Sequence, residues 1–275
     1  MTVESHQPWQ KVGGSAAENY ERALVPAMFA PWAATLVGLA GIHPGERLLD
    51  LACGTGVVAR MAATKVGISG RVVGLDINGA MLAVARELPP VGGAAIEWVE
   101  ASALDMPLVN GSFDVVLCQQ GLQQFPDRPQ ALREIHRVLA PNGRLWTSVW
   151  GRIDGSPAMA ALVDALGKHV GPQAANNRRA PFALGDADQL RDLLEDGGFR
   201  EVRVQTLAKS VDFASPEAFV EAQLSATPLS TLGALTLETH RAIEQDVHAA
   251  LHDYLQNDRL IVPMEAHIAT ARRGD

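Results

Sequence analysis

Between residues 45 and 150 the chain alternates short apolar runs with segments of helical period. The run from Arg47 to Ala52 (RLLDLA) stops at Cys53-Gly-Thr-Gly56 and gives way to the amphipathic VVARMAATKV. A second run, Arg71 to Asp76 (RVVGLD), leads into GAMLAVARELP, and Ala95 to Glu100 (AIEWVE) makes a third. Phe113 to Cys118 (FDVVLC) is the fourth. Beyond Asp127 the helical PQALREIHRVLA ends at Pro141-Asn-Gly143, and Arg144 to Trp150 (RLWTSVW) is the fifth. Continuous apolar runs separated by amphipathic helices predict parallel strands buried on both faces. Right-handed crossovers then make the sheet doubly wound.

After Trp150 the pattern loosens. Pro157 to Val170 reads as a helix, and residues 171–186 (GPQAANNRRAPFALGD) as a loop rich in Gly, Pro and Asn. Ala187 to Asp196 is helical and ends at Gly197-Gly198. Glu201 to Asp212 alternates as a strand does, and Arg259 to Arg272 contains another. Two helical blocks, 216–226 and 231–257, lie between them. The pattern predicts one domain over 1–275: a core at 45–150, cap helices in 1–44, and additions at 151–185 and 213–258 around the remaining strands.

Composition narrows the partners. The 275 residues are 47% hydrophobic and 20% charged, enough to bury a core and too apolar for disorder. Lys and Arg number 23 against 31 Asp and Glu, a net charge of −8, and no basic block occurs. That charge excludes a nucleic-acid groove as the main function and points to a small molecule. Cys53 and Cys118 cannot form a disulfide framework, and no Cys or His spacing matches a metal site. The opening MTVESHQPWQ has neither the basic nor the apolar region of a secretory signal. Ala23 to Ile42, with Pro26, Pro31 and Gly38, reads as too broken to span a membrane. These features predict a cytoplasmic protein.

The chemistry sits in Leu48 to Gly56. A strand ends in a glycine turn and a helix begins at once, so backbone N–H groups can approach a ligand at a helix N-terminus. Asp76 closes the second strand 20 residues after Gly56, which places a carboxylate beside that turn, in reach of ribose hydroxyls. Dinucleotides and S-adenosylmethionine both fit such a site. A dinucleotide needs G-x-G-x-x-G, whereas this register runs Ala52, Gly54, Gly56, Ala59, and Asp50 at the strand end would repel a pyrophosphate. A sulfonium ligand bearing an ammonium tolerates that charge, so S-adenosylmethionine is the expected cofactor.

The segments LLDLACGTGVVAR, GLDINGAML, ASALDMPLVNGSFDVVLCQQGLQQFPD and REIHRVLAPNGRLWTSVW resemble successive motifs of class I S-adenosylmethionine-dependent methyltransferases. In particular they are similar to the small-molecule branch that includes the ubiquinone/menaquinone-biosynthesis C-methyltransferases. The resemblance covers about residues 15–150. It implies an α/β fold: a doubly wound, mostly parallel seven-stranded sheet with the last strand antiparallel and helical lid additions. It also implies that Asp50 organises the glycine turn and the methionine end of the cofactor, that Ala52, Cys53, Gly54, Thr55 and Gly56 form that turn and bind the cofactor, and that Asp76 takes the ribose. Ile77 and Met81 would flank the adenine, with Ser102, Ala103 and Leu104 facing its amino group; serine stands where the branch commonly has an acid. Gln119 would meet the methionine part, and Tyr20 would close over the cofactor.

Gln124, after the fourth strand, is the candidate for facing the acceptor. Trp150 and Phe182 are candidates for lining its pocket, while Trp146 reads as core. His136 reads as a surface or packing residue. His169, His240, His248, His252 and His267 show no triad or metal spacing and read as solvated helix residues. No N-P-P-[YF] signature follows the fourth strand, where Cys118-Gln-Gln-Gly stands. The expected reaction is therefore methyl transfer to oxygen or carbon of a small hydrophobic metabolite. A non-transfer reaction such as cyclisation on the same fold, or a dinucleotide-dependent oxidoreductase, are the alternatives. The apolar faces of 157–170 and 231–257 read as ordinary amphipathicity first, and as a lid or a homodimer face second.

Overall fold

The computed structural model describes residues 14–226 and 235–274. Strands β1 (Arg47–Leu51), β2 (Arg71–Asp76), β3 (Ile96–Glu100), β4 (Phe113–Gln119) and β5 (Leu139–Trp150) pair in parallel in the order 3-2-1-4-5. β8 (Arg259–Arg273) lies antiparallel between β5 and β6 (Phe199–Phe213) and completes the order 3-2-1-4-5-8-6. The sheet is thus doubly wound and mostly parallel, as the apolar runs predict. A two-residue strand, β7 (Leu255–Gln256), adds an eighth piece by folding back onto β8.

The runs are continuous because both faces are covered. In β1, Leu48 points to one face and Leu49 and Leu51 to the other; in β4, Val115 and Leu117 oppose Val116 and Cys118. The first face packs on α2 (Ala30–Leu39), α3 (Val57–Val66), α6 (Pro157–His169), α9 (Pro216–Ser225) and α10 (Leu237–Ala250). The second packs on α5 (Arg128–Val138) and α8 (Ala187–Asp196), through Leu132, Ile135, Leu190 and Leu194. Ion pairs gather at the amino-terminal edge of the strands. Arg47 binds Asp114 through Nη2–Oδ1 at 2.6 Å and Nε–Oδ2 at 3.1 Å, and Arg144 binds Glu46 at 2.8 Å. The carboxyl edge carries the site, where the order reverses between β1 and β4 and opens a crevice.

Four segments differ from the sequence pattern. Residues 171–186 contain a helix, α7 (Pro172–Arg179), and a 3₁₀ turn at Ala180–Phe182. Gly171-Pro172 reads as a loop, but proline at the first helical position starts a helix instead of breaking one. At the N-terminus, α1 (Gly14–Asn19), a π-helical segment (Tyr20–Phe29) and α2 run on without interruption. Widened turns, with Ala30 N–H donating to Val25 O five residues back, absorb Pro26. The stretch is therefore not broken: Ala16–Leu39 reaches the length and mean hydropathy (1.3) of a membrane-crossing helix, although Trp32, Ala33 and Leu36 are buried in the core. The block 231–257 resolves into α10 followed by a 3₁₀ turn and β7, and residues 227–234 lie outside the described residues. His267 is not a solvated helix residue. It is buried in β8, where Nε2 donates to Gly185 O (3.1 Å) and Nδ1 meets the Thr206 hydroxyl (2.8 Å).

Candidate functional site

β1 delivers the chain to the carboxyl edge at Ala52, whose φ of 56° is left-handed. Cys53 N–H donates to Leu75 O (3.1 Å), tying the turn to β2, and Gly56 N–H donates to Cys53 O (2.8 Å). Gly56, at φ 87°, caps α3 but has no side chain to satisfy the first N–H groups of the helix. Asp50 fills that role from β1: its Oδ2 accepts Ala59 N–H at 2.8 Å, while Oδ1 is buried without a partner. Burial, with Asp76 nearby, pushes the Asp50 carboxyl up to about 8. Trp98 from β3 covers the turn so closely that a Cβ on Gly56 would fall 2.2 Å from its ring.

Asp76 ends β2 beside this turn. Its Oδ2 accepts Gly54 N–H (2.7 Å) and its Oδ1 accepts Asn78 N–H (2.8 Å). Burial raises its pKa against the pull of these N–H groups. Asn78 in turn caps α4 (Gly79–Glu87), accepting from Ala80 N–H (2.9 Å) and Met81 N–H (3.3 Å). On the β4 side, Gln119 Nε2 donates to Phe29 O (2.9 Å), which fastens the N-terminal helix over the edge; Gln119 Oε1 is buried without a partner. Gln124 lies in a 3₁₀ turn, and its Oε1 is likewise buried without a partner.

These elements enclose a cavity of about 340 Å³, within the range of small-molecule pockets. Tyr20, Ala52, Gly54, Asp76, Ile77, Met81, Ser102, Ala103, Leu104, Gln119 and Gln124, all expected at the site, line it together. Asp50, Cys53, Thr55 and Gly56 do not line it; they form the buried back of the turn. Cys53 is covered by burial that drives its thiol well above the usual value, and Thr55 is 1% exposed. Ser102 Oγ accepts Leu104 N–H (3.1 Å), which folds the segment after β3 toward the cavity. Tyr20 packs against Phe29 with ring centroids 4.9 Å apart and planes tilted by 39°, and its hydroxyl faces Gly54. Burial and the carboxylates Asp76, Glu21 and Asp50 raise its pKa.

The rest of the wall is apolar: Met28 and Phe29 of the π-helical segment, Met159 and Phe182 come from the segments expected to form a lid, and Trp150 of β5 and Met264 of β8 from the sheet. Asn177 and Arg178 of α7 and Gln223 of α9 add polar groups that no sequence motif marks. Asn78 had a signal, as the N-cap ahead of a helical block; Arg178 and Gln223 had none.

A parallel sheet with a glycine turn at its switch point and a strand-end acid beside it is the arrangement of nucleotide-binding α/β folds. Residues 49–147 match the family described as "Methyltransferase domain". The ubiquinone/menaquinone biosynthesis C-methyltransferase of Ectopseudomonas mendocina is 32% identical over 193 residues, 66% of this chain and 75% of that protein. Phosphoethanolamine N-methyltransferase 2 of Haemonchus contortus, solved with S-adenosylhomocysteine, superposes with a TM-score of 0.60 at 19% identity, covering 94% of this chain and 57% of that one. The [4+2]-cyclase SpnF superposes with a TM-score of 0.51 at 21% identity over 90% and 82% of the two chains. These structures share the fold. The chain belongs to the class I S-adenosylmethionine-dependent methyltransferases: it is an enzyme that methylates a small molecule with S-adenosylmethionine as cofactor.

Proposed function

We propose that the turn after β1 and the end of β2 hold the cofactor, and that the far part of the cavity takes a hydrophobic metabolite methylated on oxygen or carbon. The observation that carries this reading is Asp76. Its carboxylate is oriented by the N–H groups of Gly54 on Oδ2 and Asn78 on Oδ1, on a residue that lines the cavity. A ribose diol matches that pair of acceptors. Ile77 and Met81 would bracket the adenine on one side and Ser102 to Leu104 on the other. The buried Oε1 of Gln119 would accept from the ammonium of the methionine part, with Tyr20 closing over it.

The bound cofactor supplies an electrophilic methyl; the chain supplies position and dryness. Among the described lining residues the titratable ones are Tyr20, Asp76 and Arg178. Tyr20 is a poor base because burial holds its proton, and Asp76 is committed to backbone N–H groups. The site therefore suits an acceptor that ionises readily or yields its proton to water. Gln124 Oε1 would orient such an acceptor by taking a hydrogen bond from it. The name of the E. mendocina relative, a C-methyltransferase, fits transfer to carbon. Both cysteines are free and buried, in keeping with a cytoplasmic location.

Calorimetry with S-adenosylmethionine and S-adenosylhomocysteine tests the cofactor site. Wild type should bind both, and Asp76→Ala should lose about 1.5–3 kcal/mol, the worth of hydrogen bonds to a charged group. Equal binding by Asp76→Ala would refute the ribose assignment. Incubating a metabolite extract with methyl-labelled cofactor should give a labelled product; conversion of a metabolite without label would mean a non-transfer reaction.

A further inference from the structure

The N-terminal helix changes its winding where it crosses the cavity. α1 and α2 are α-helical, and the ten residues between them, Tyr20–Phe29, are π-helical. The contact between the Tyr20 and Phe29 rings depends on that winding. An α-helix turns about 100° per residue, so side chains nine positions apart point to opposite faces. A π-helix, bonded five residues back, takes roughly 4.4 residues per turn, so nine residues complete two turns and return to the same face. Tyr20 and Phe29 accordingly meet with ring centroids 4.9 Å apart. Leu24 and Met28, one wide turn apart, fall on that face too, and all four residues line the cavity.

Pro26 supplies a reason for the wide winding. It is exposed and does not line the cavity. In an α-helix its ring would press on the carbonyl of Arg22, four residues back, and could give that carbonyl no N–H. The wider turn moves the carbonyl aside, and Ala30 N–H reaches Val25 O, five residues back. At the far end Gln119 Nε2 donates to Phe29 O (2.9 Å), and Trp32, Ala33 and Leu36 of α2 are buried, so the Phe29 end is anchored. The aligned pair spans both parts of the cavity. Tyr20 lies over the glycine turn, its hydroxyl 3.9 Å from where a Cβ on Gly54 would stand. Phe29 packs on Trp150 of the apolar wall, with centroids 6.0 Å apart.

Resting on the cofactor assignment proposed above, we infer that Pro26 is a positioning residue for methyl transfer. From the solvent side of the helix it excludes the α winding and so keeps Tyr20 over the cofactor, on the same face as Phe29. With an ordinary residue at 26 the segment can wind as an α-helix. The Phe29 end stays anchored, Tyr20 turns away with α1, and the cofactor turn loses its cover. Pro26 therefore acts on the site through Tyr20 and touches neither ligand.

The test is Pro26→Ala in the full chain, beside wild type, Tyr20→Leu and the double variant. Each is titrated with S-adenosylhomocysteine by calorimetry, and each cofactor-free protein is melted by differential scanning calorimetry. Alanine restores the N–H and is the better helix former, so Pro26→Ala should melt no lower than wild type. It should nevertheless bind S-adenosylhomocysteine at least 5-fold more weakly. In the Tyr20→Leu background, where the cover is already gone, the same substitution should weaken binding less than 2-fold, the non-additivity of residues that act together. The inference is overturned if Pro26→Ala loses less than 5-fold, or if Pro26→Ala weakens binding 2-fold or more in the Tyr20→Leu background. It is overturned equally if the weaker binding comes with a lower melting temperature, the mark of a proline that only supports the fold. Failure of S-adenosylhomocysteine to bind wild type would instead overturn the cofactor assignment, a separate readout.

Discussion

Ala52 shows how a single residue of the motif departs from its role and what that costs. The resemblance places it where the family commonly has glycine, and the backbone there is left-handed at φ 56°. A Cβ in that region meets the following carbonyl and costs about 1–2 kcal/mol. The methyl also constrains the segment after β4, since a Cβ on Gly121 would sit 2.7 Å from it. Ala52→Gly should therefore stabilise the protein by about 1 kcal/mol, partly offset by the freedom glycine gains when unfolded. Differential scanning calorimetry should record a rise of about 2–3 °C for a chain of this size. A lower transition temperature would mean that packing of the methyl outweighs the backbone term. The motif positions were legible in the sequence because their chemistry is local: a turn, a cap, a strand-end acid. Asp50 was legible as the residue that organises the turn, whereas its place behind the cavity lining was not. Its side chain points back to Ala59 N–H, away from the cavity, and no spacing rule distinguishes those directions.

At the scale of elements, the parallel strands of the core followed from apolar runs, because both faces of a parallel sheet need the same residues. The segments expected to form a lid were visible only as chain left over from the sheet. Within them α7 was hidden by Pro172, which opens a helix here, and the continuity of the N-terminal helices by Pro26, which rides in a widened turn. Arg178 and Gln223 meet across 45 residues of sequence, a tertiary pairing with no local pattern. That the lid segments share a cavity with the cofactor turn has a measurable consequence. Opening of 14–30 or 172–182 dismantles the site, so cofactor bound at 100 times its dissociation constant should oppose that opening by about 2.7 kcal/mol. Hydrogen exchange there should slow by about 100-fold. The end of α8 and the start of β6, packed on the other face, should change little. Equal protection in both regions would indicate global stabilisation and not a lid.

For the whole molecule, charge and pH connect the buried back of the turn to stability. Asp50 is 1% exposed with a pKa raised from 3.8 to about 8, chiefly by burial. Above pH 4 the unfolded chain has released this proton while the folded chain keeps it. The unfolded state then binds fewer protons, and stability falls as pH rises, through a window that closes near pH 8. The raised pKa of Asp76 acts in the same direction. Asp114 and Glu134 act oppositely, because Arg47 and Arg137 hold them ionised, but their window lies at acid pH below the ordinary carboxylate value. His136, lowered by burial, opposes Asp50 only below its own ordinary value of 6.5. Asp50→Asn keeps an oxygen for Ala59 N–H and removes the titration. Relative to wild type it should gain about 2–4 kcal/mol between pH 5 and pH 8, at 1.36 kcal/mol per unit, read from urea unfolding of the cofactor-free protein at each pH. The cationic cofactor favours the ionised carboxylate, so binding at pH 7 should release a fraction of a proton from wild type and a smaller fraction from Asp50→Asn, in which Asp76 still titrates. Calorimetry in buffers of different ionisation enthalpy measures that release. A pH-independent stability difference between the two proteins would place the Asp50 carboxylate in its ionised form throughout, and the burial argument for it would fail.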